Sequence, residues 1–259
     1  MNRDLTVGEP QSVLWRFSIP MFVSVIFQQL YNMADSVIAG KFAGEDALAA
    51  VGASYPITMI FMAIAVGSNI GCSVIISQYF GAKWFEKMKT AVYTTLLSST
   101  VLSVLLTFAG LLGSRWMMTA INTPENIFAD GDLYLRIYIG GFVFLFLYNV
   151  ATGIFNSMGD SRTPLYFLIG SSLGNIVLDL IFVAVFHWDV AGVAWATFIA
   201  QGIACVLALL ALRKRLASIR TEGRVELFSW NMLGRISRIA VPSILQQSFI
   251  SVGNIFIQG

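Results

Sequence analysis

The sequence predicts an all-α membrane protein: a six-helix transmembrane bundle followed by the start of a truncated seventh helix, together the first half of a twelve-span, pseudo-two-fold architecture. Three observations predict it. The chain has 259 residues, of which 57% are hydrophobic and only 12% charged, and its mean hydropathy is +0.76; soluble domains carry about twice that charge fraction. Its apolar residues fall into seven segments, most of them long enough to span a bilayer. The seventh segment repeats the first: Arg16, Pro20, Phe27 and Asn32 align with Arg238, Pro242, Phe249 and Asn254 at one constant offset. A period of six spans is even, so the two halves would run parallel about an axis along the membrane normal.

Taken in order, the first span covers Leu14 to Ala39. The second, Ala47 to Gln78, is longer than one crossing needs and should tilt and kink near Pro56, which lacks a backbone N–H. The third is Thr90 to Leu112, the fourth Tyr134 to Ile154, and the fifth Pro164 to Phe186, with a proline suited to a helix start. The sixth is Val190 to Leu212, and the seventh begins near Ile239. This divides the chain into a bundle over 1–212, a cytoplasmic linker over 213–234 and the start of a second bundle over 235–259. The linker reads as a solvated basic loop. The polar N-terminus has no cleavable-signal pattern, so the first span is expected to act as its own insertion signal.

Orientation follows from the loops. Thirteen of the 16 Lys and Arg residues fall on one side, among them Arg3, Lys83, Arg162 and Arg213 to Arg215, against Lys41, Arg115 and Arg136 on the other. The positive-inside rule therefore places the N-terminus in the cytoplasm of a multi-pass plasma-membrane protein. Because the cations track span ends, the net charge of +2 is no nucleic-acid footprint. Five of the six tryptophans sit near span ends as interfacial anchors, Trp195 being the exception. Cys72 and Cys205 lie in apolar segments with no ligand partner at a metal-binding spacing, and read as packing residues.

Only two acids lie deep in spans. Asp35 ends a polar stripe on the first span with Ser24, Gln28 and Asn32, which share a helix face. A charged side chain at the bilayer centre costs at least about 2.5 kcal/mol, and a stripe of this kind facing lipid would leave polar groups unpaired. The stripe is either a polar packing seam or an ion or substrate pathway. Asp179 stands four residues after Asn175 in the fifth span, and Thr197 and Gln201 share a face of the sixth. These are hard oxygen donors, suited to a sodium ion or a proton and poorly suited to a transition metal. The plainer reading is an Asp–Asn hydrogen bond within one helix and unrelated packing of Thr197. Gly67 and Gly71 form a GxxxG pair in the second span, the signature of close helix packing. No HExxH, GxSxG, Walker A or Cys/His cluster is present, so the chain is expected not to be an enzyme and to need no cofactor.

The stretches IPMFVSVIFQQLYNMADSVIAG, AVGSNIGCSVIISQYFGA, FNSMGDSRTP, GNIVLDLIF and GVAWATFIAQ, in that order, resemble the multidrug and toxic compound extrusion (MATE) family of secondary transporters. The resemblance covers essentially the whole chain. It implies twelve spans in two six-helix bundles and efflux of organic cationic or amphipathic compounds by H⁺ or Na⁺ antiport. It also implies a cation site on Asp35, Asn175, Asp179 and Thr197, with Gln28, Asn32 and Gln201 as cavity-lining candidates. A second six-helix bundle would be required for transport, with small organic molecules and membrane lipid as partners. The alternatives are a lipid-linked precursor flippase of related architecture, whose groove should be more basic, and a non-transporting scaffold or channel subunit.

Overall fold

The computed structural model describes residues 9–221 and 223–258, excluding the side chains at 10, 32, 35, 39, 43, 46, 252 and 254–258. Arg3 and the side chains of Asn32 and Asp35 therefore lie outside the described residues. Every regular element among the described residues is helical. Helix α1 (Pro10–Ile38) runs into a π-helical turn (Ala39–Ala43), followed by α2 (Glu45–Gly81), α3 (Phe85–Ala120), α4 (Glu125–Gly140) and α5 (Phe142–Ser157). Helix α6 (Arg162–Asp179) passes into a second π-helical turn (Leu180–Val185), and α7 (Asp189–Ser218) and α8 (Trp230–Gln258) complete the order.

Five described helical stretches are long and apolar enough to cross a membrane: Gln11–Phe42, Ala47–Gly81, Phe85–Ala120, Arg162–Val185 and Asp189–Ser218. Helices α4 and α5 pass the same test only together, as a bent pair meeting at 47°, so the described helices provide five crossings, or six with the pair counted as one span. The sequence predicts one continuous span over Tyr134 to Ile154; the structure breaks it at Gly141. A Cβ there would lie 2.9 Å from Phe198 Cδ2 of α7, so the bend occurs where the α7 side chain leaves little room. The second span is helical on both sides of Pro56 without interruption.

Helix α2 is the hub, packed against α3, α4, α5 and α8. Beside it Phe142, fully buried, meets Phe61 edge-on at 5.0 Å and Phe146 at 5.6 Å, a favoured aromatic geometry. The Gly67–Gly71 pair receives α8. A Cβ on Gly67 would stand 2.7 Å from Ile244 Cγ1, and one on Gly71 2.6 Å from the backbone nitrogen of Ala240. In lipid, where apolar burial gives little drive, such backbone approach is a main source of helix association.

At the cation-poor end, Asp132 takes Arg136 Nε at 2.9 Å and lies 3.6 Å from Arg115 Nε. Two of the three cations on that side are thus paired with one carboxylate. At the basic end, α7 extends to Ser218, and the segment after it, exposed at Arg220, Arg224 and Glu226, is strapped to α3. Glu86, Thr90 and Thr94 recur every fourth residue along one α3 face. Their side chains accept the backbone N–H groups of Gly223, Glu226 and Ser229 at 3.3, 3.2 and 3.1 Å. Lys89 Nζ adds a bond to the Ile219 carbonyl at 2.7 Å. Replacing Thr90 and Thr94 together by Val should release this strap, each lost bond being worth about 1 kcal/mol; hydrogen exchange at Glu226 and Ser229 should rise while the α5 amides stay protected.

Candidate cation site

Two turns set the position of α6. The FNSMGDSRTP loop reverses the chain at Gly159, whose φ of 76° suits glycine. Asp160 then caps the new helix: its carboxylate accepts the Thr163 N–H at 3.1 Å and the Thr163 hydroxyl at 2.7 Å. Ser161 donates its hydroxyl to the Phe17 carbonyl at 3.0 Å, pinning the start of α6 to α1. Close by, Pro20 contributes no N–H, and its carbonyl accepts the Ser24 hydroxyl at 2.8 Å.

This pinning brings three helices together around Asn175, which is 1% exposed beside Asp179 at 0%. The orientation of the amide follows from its neighbours. With its nitrogen toward α6 and α1, it donates to Asp179 Oδ2 at 3.0 Å and to the Tyr31 hydroxyl at 3.1 Å, while its oxygen accepts the Thr197 backbone N–H at 3.1 Å. The end of the amide facing α7 also lies 3.4 Å from Thr197 Oγ1. The opposite orientation would set nitrogen against an N–H and oxygen against a carboxylate. One side chain therefore links α1, α6 and α7.

Helix geometry at the site is unusual. Asp179 is the last α-helical residue before the second π-helical turn, and α1 likewise ends in a π-helical turn one turn beyond Asp35. The two turns touch each other, and Gly192 of α7 admits the second: a Cβ there would stand 3.0 Å from Val183 and 3.2 Å from Phe182. Single π-helical turns inside α-helices recur at functional sites.

Of the residues singled out in the sequence, Asn175, Asp179 and Thr197 are brought together. Asp35 is on α1 in i, i+4 register with Tyr31, so the two share a helix face. Gln28 is exposed in this chain and takes no part in the cluster. Gln201 is half-buried on α7, one turn past Thr197, and its Oε1 is buried with no hydrogen-bond donor among the described residues. Tyr31 escaped the sequence reading. It stands three residues after Gln28 and four before Asp35, squarely on their stripe, but an aromatic at a helix–lipid boundary reads as an anchor. No group of three or more acidic, His or Cys side chains able to hold a metal occurs among the described residues. A donor set of one carboxylate, an amide and a hydroxyl is made of hard oxygen donors, the kind that suits Na⁺ or H⁺.

The sequence and the fold both have known relatives. The MatE family profile matches residues 20–181. The "Probable multidrug resistance protein YoeA" of Bacillus subtilis is 29% identical over 262 residues, covering 97% of this chain and 57% of the relative. Among solved structures, one described as "Outward-facing conformation of a multidrug resistance MATE family transporter of the MOP superfamily" superposes with a TM-score of 0.87 at 28% identity, over 96% of this chain and 55% of the other. A MOP superfamily transporter from Pyrococcus furiosus, whose description proposes a different function from a reversed pocket polarity, gives the same TM-score and identity. The chain thus spans a little over half the length of the relatives it matches.

Proposed function

The chain belongs to the MatE family, and from that premise we propose that it supplies the first of two six-helix bundles to a secondary exporter that moves organic cationic or amphipathic compounds out of the cell against an inward flow of H⁺ or Na⁺. The N-terminus and the basic loops face the cytoplasm of the plasma membrane in this reading. Asp35 and Asp179 take the ion, with Asn175 and Thr197 completing the site and Gln28, Asn32 and Gln201 lining the adjoining cavity.

The observation that carries the proposal is the Asn175 amide, which joins an intramembrane carboxylate to two neighbouring helices. A packing seam needs hydrogen bonds but no acid, and an acid in a span is retained at a cost. An ion bound there offsets one of the two carboxylate charges and alters how tightly α1 is held to α6 and α7. With Pro20 in α1, the helix has a place to bend, and an ion that prefers one state shifts the balance between outward- and inward-open forms. The lipid-linked precursor flippase is disfavoured because no Lys or Arg contacts Asn175, Asp179 or Thr197 among the described residues.

The test is dye transport by this bundle together with a second six-helix bundle in everted vesicles. A fluorescent cationic dye should accumulate when a pH or Na⁺ gradient is imposed and stop when that gradient is collapsed; the gradient that works names the ion. Dye movement at one rate with and without either gradient would overturn the proposal.

A further inference from the structure

At the basic end, far from Asn175, lies a polar cavity of about 270 Å³ that the transport reading does not use. It opens between the end of α2, the start of α3, the strap and the start of α8. Three cations line it (Lys87, Arg224 and Arg235) together with two carboxylates (Glu86 and Glu226) and Tyr79. Two of the cations have fixed neighbours. Arg235 Nη1 donates to the Tyr79 hydroxyl at 2.9 Å, Lys87 Nζ stands 4.2 Å over the Trp84 ring, and the backbone of Glu226 is fixed to Thr90. Next in sequence to lining residues or one turn from them, Trp84, Leu227 and Trp230 are 53%, 69% and 79% exposed, apolar side chains of the kind that anchor a protein among lipid headgroups.

The charge pattern selects among ligands. A purely anionic group would meet the three cations but also two carboxylates, and the like charges would repel it. A group carrying both a phosphate and a primary ammonium meets a partner for each: the guanidinium and ammonium donors take the phosphate oxygens, and a carboxylate takes the N–H donors of the ammonium. We propose that this cavity binds the phosphoethanolamine headgroup of a membrane phospholipid, phosphate toward Lys87, Arg224 and Arg235 and ammonium toward Glu226. The bound headgroup tethers the α2–α3 turn and the strap to the membrane surface. The inference stands apart from the ion site and holds whatever that site carries.

Lipid retention by the purified full chain, counted by native mass spectrometry at increasing lipid, tests it. One phosphatidylethanolamine should bind, about tenfold more tightly than phosphatidylcholine, whose ammonium has no N–H, or phosphatidylglycerol, which has no ammonium. Lys87→Gln should weaken it about tenfold, as loss of one charge-assisted contact does, and Arg235→Gln likewise. Glu226→Gln should reduce phosphatidylethanolamine to the phosphatidylcholine level, and Arg213→Gln, a basic change outside the cavity, should alter nothing. Size-exclusion elution matched to wild type shows that each variant is folded, and Lys87→Gln stands in should Arg235→Gln fail that check. Phosphatidylglycerol binding as tightly as phosphatidylethanolamine, equal losses with Arg213→Gln, or displacement of the lipid by equimolar inorganic phosphate would each overturn the proposal.

Discussion

Asp179→Asn should abolish the gradient-driven part of dye export by the two-bundle protein while leaving it folded. The substituted amide can still present an oxygen to Asn175 at the place of Asp179 Oδ2, 3.0 Å away, so the bridge across α1, α6 and α7 keeps its acceptor. What disappears is the charge. Coupling energies between sites run to about 1–3 kcal/mol, or some 5- to 150-fold, so the ion-driven rate should fall at least about fivefold. Asp179→Leu removes both charge and acceptor, should lose the same transport, and should also destabilise the fold by about 1–3 kcal/mol because a buried N–H of Asn175 forfeits a partner. The contrast separates the two roles: if Asp179→Asn exports dye at the wild-type rate, the carboxylate serves only as a hydrogen-bond acceptor and the ion reading fails. Asp35→Asn should match Asp179→Asn, since Asp35 shares the α1 face of Tyr31.

Much of this was legible in the sequence, for reasons that differ from residue to residue. Asn175 and Asp179 could be paired because a helix sets residues four apart on one face, and a carboxylate in an apolar run stands out against its cost. Thr197 could be nominated from its spacing to Gln201, but that it meets Asn175 depends on how α6 and α7 pack, which no single-helix pattern encodes. Tyr31 was hidden because an aromatic residue suits lipid, core and site equally. The bend at Gly141 was hidden for a related reason: the run from Tyr134 to Ile154 is apolar apart from Arg136 near its start and Asn149 and Thr152 near its end, and hydropathy has no sensitivity to direction. The strap on α3 was missed because Glu86, Thr90 and Thr94 act on backbone groups distant in sequence, and a basic, polar segment read alone shows its exposure but not its anchorage.

The GxxxG pair is the opposite case, a local pattern with a tertiary consequence. Gly71→Val should lower stability by about 3 kcal/mol, the upper end of overpacking costs, because what a side chain would meet there is the backbone of α8 at Ala240 and not the movable tip of a side chain. Gly67→Val should do the same against the Ile244 backbone. Gly52 supplies the control on the same helix: nothing lies within 4 Å of its missing Cβ, so Gly52→Ala should hold or raise the melting temperature, as alanine in a helix interior is favoured over glycine by about 1 kcal/mol. Thermal unfolding in detergent reads all three. If Gly71→Val melts with wild type, α8 does not rest on α2 as closely as the backbone contacts require. In the proposed exporter this seam carries more than stability, because α8 is there the first helix of the second bundle. A valine that lifts α8 from α2 would then loosen one bundle from the other and depress transport together with the melting temperature, whereas Asp179→Asn depresses transport alone.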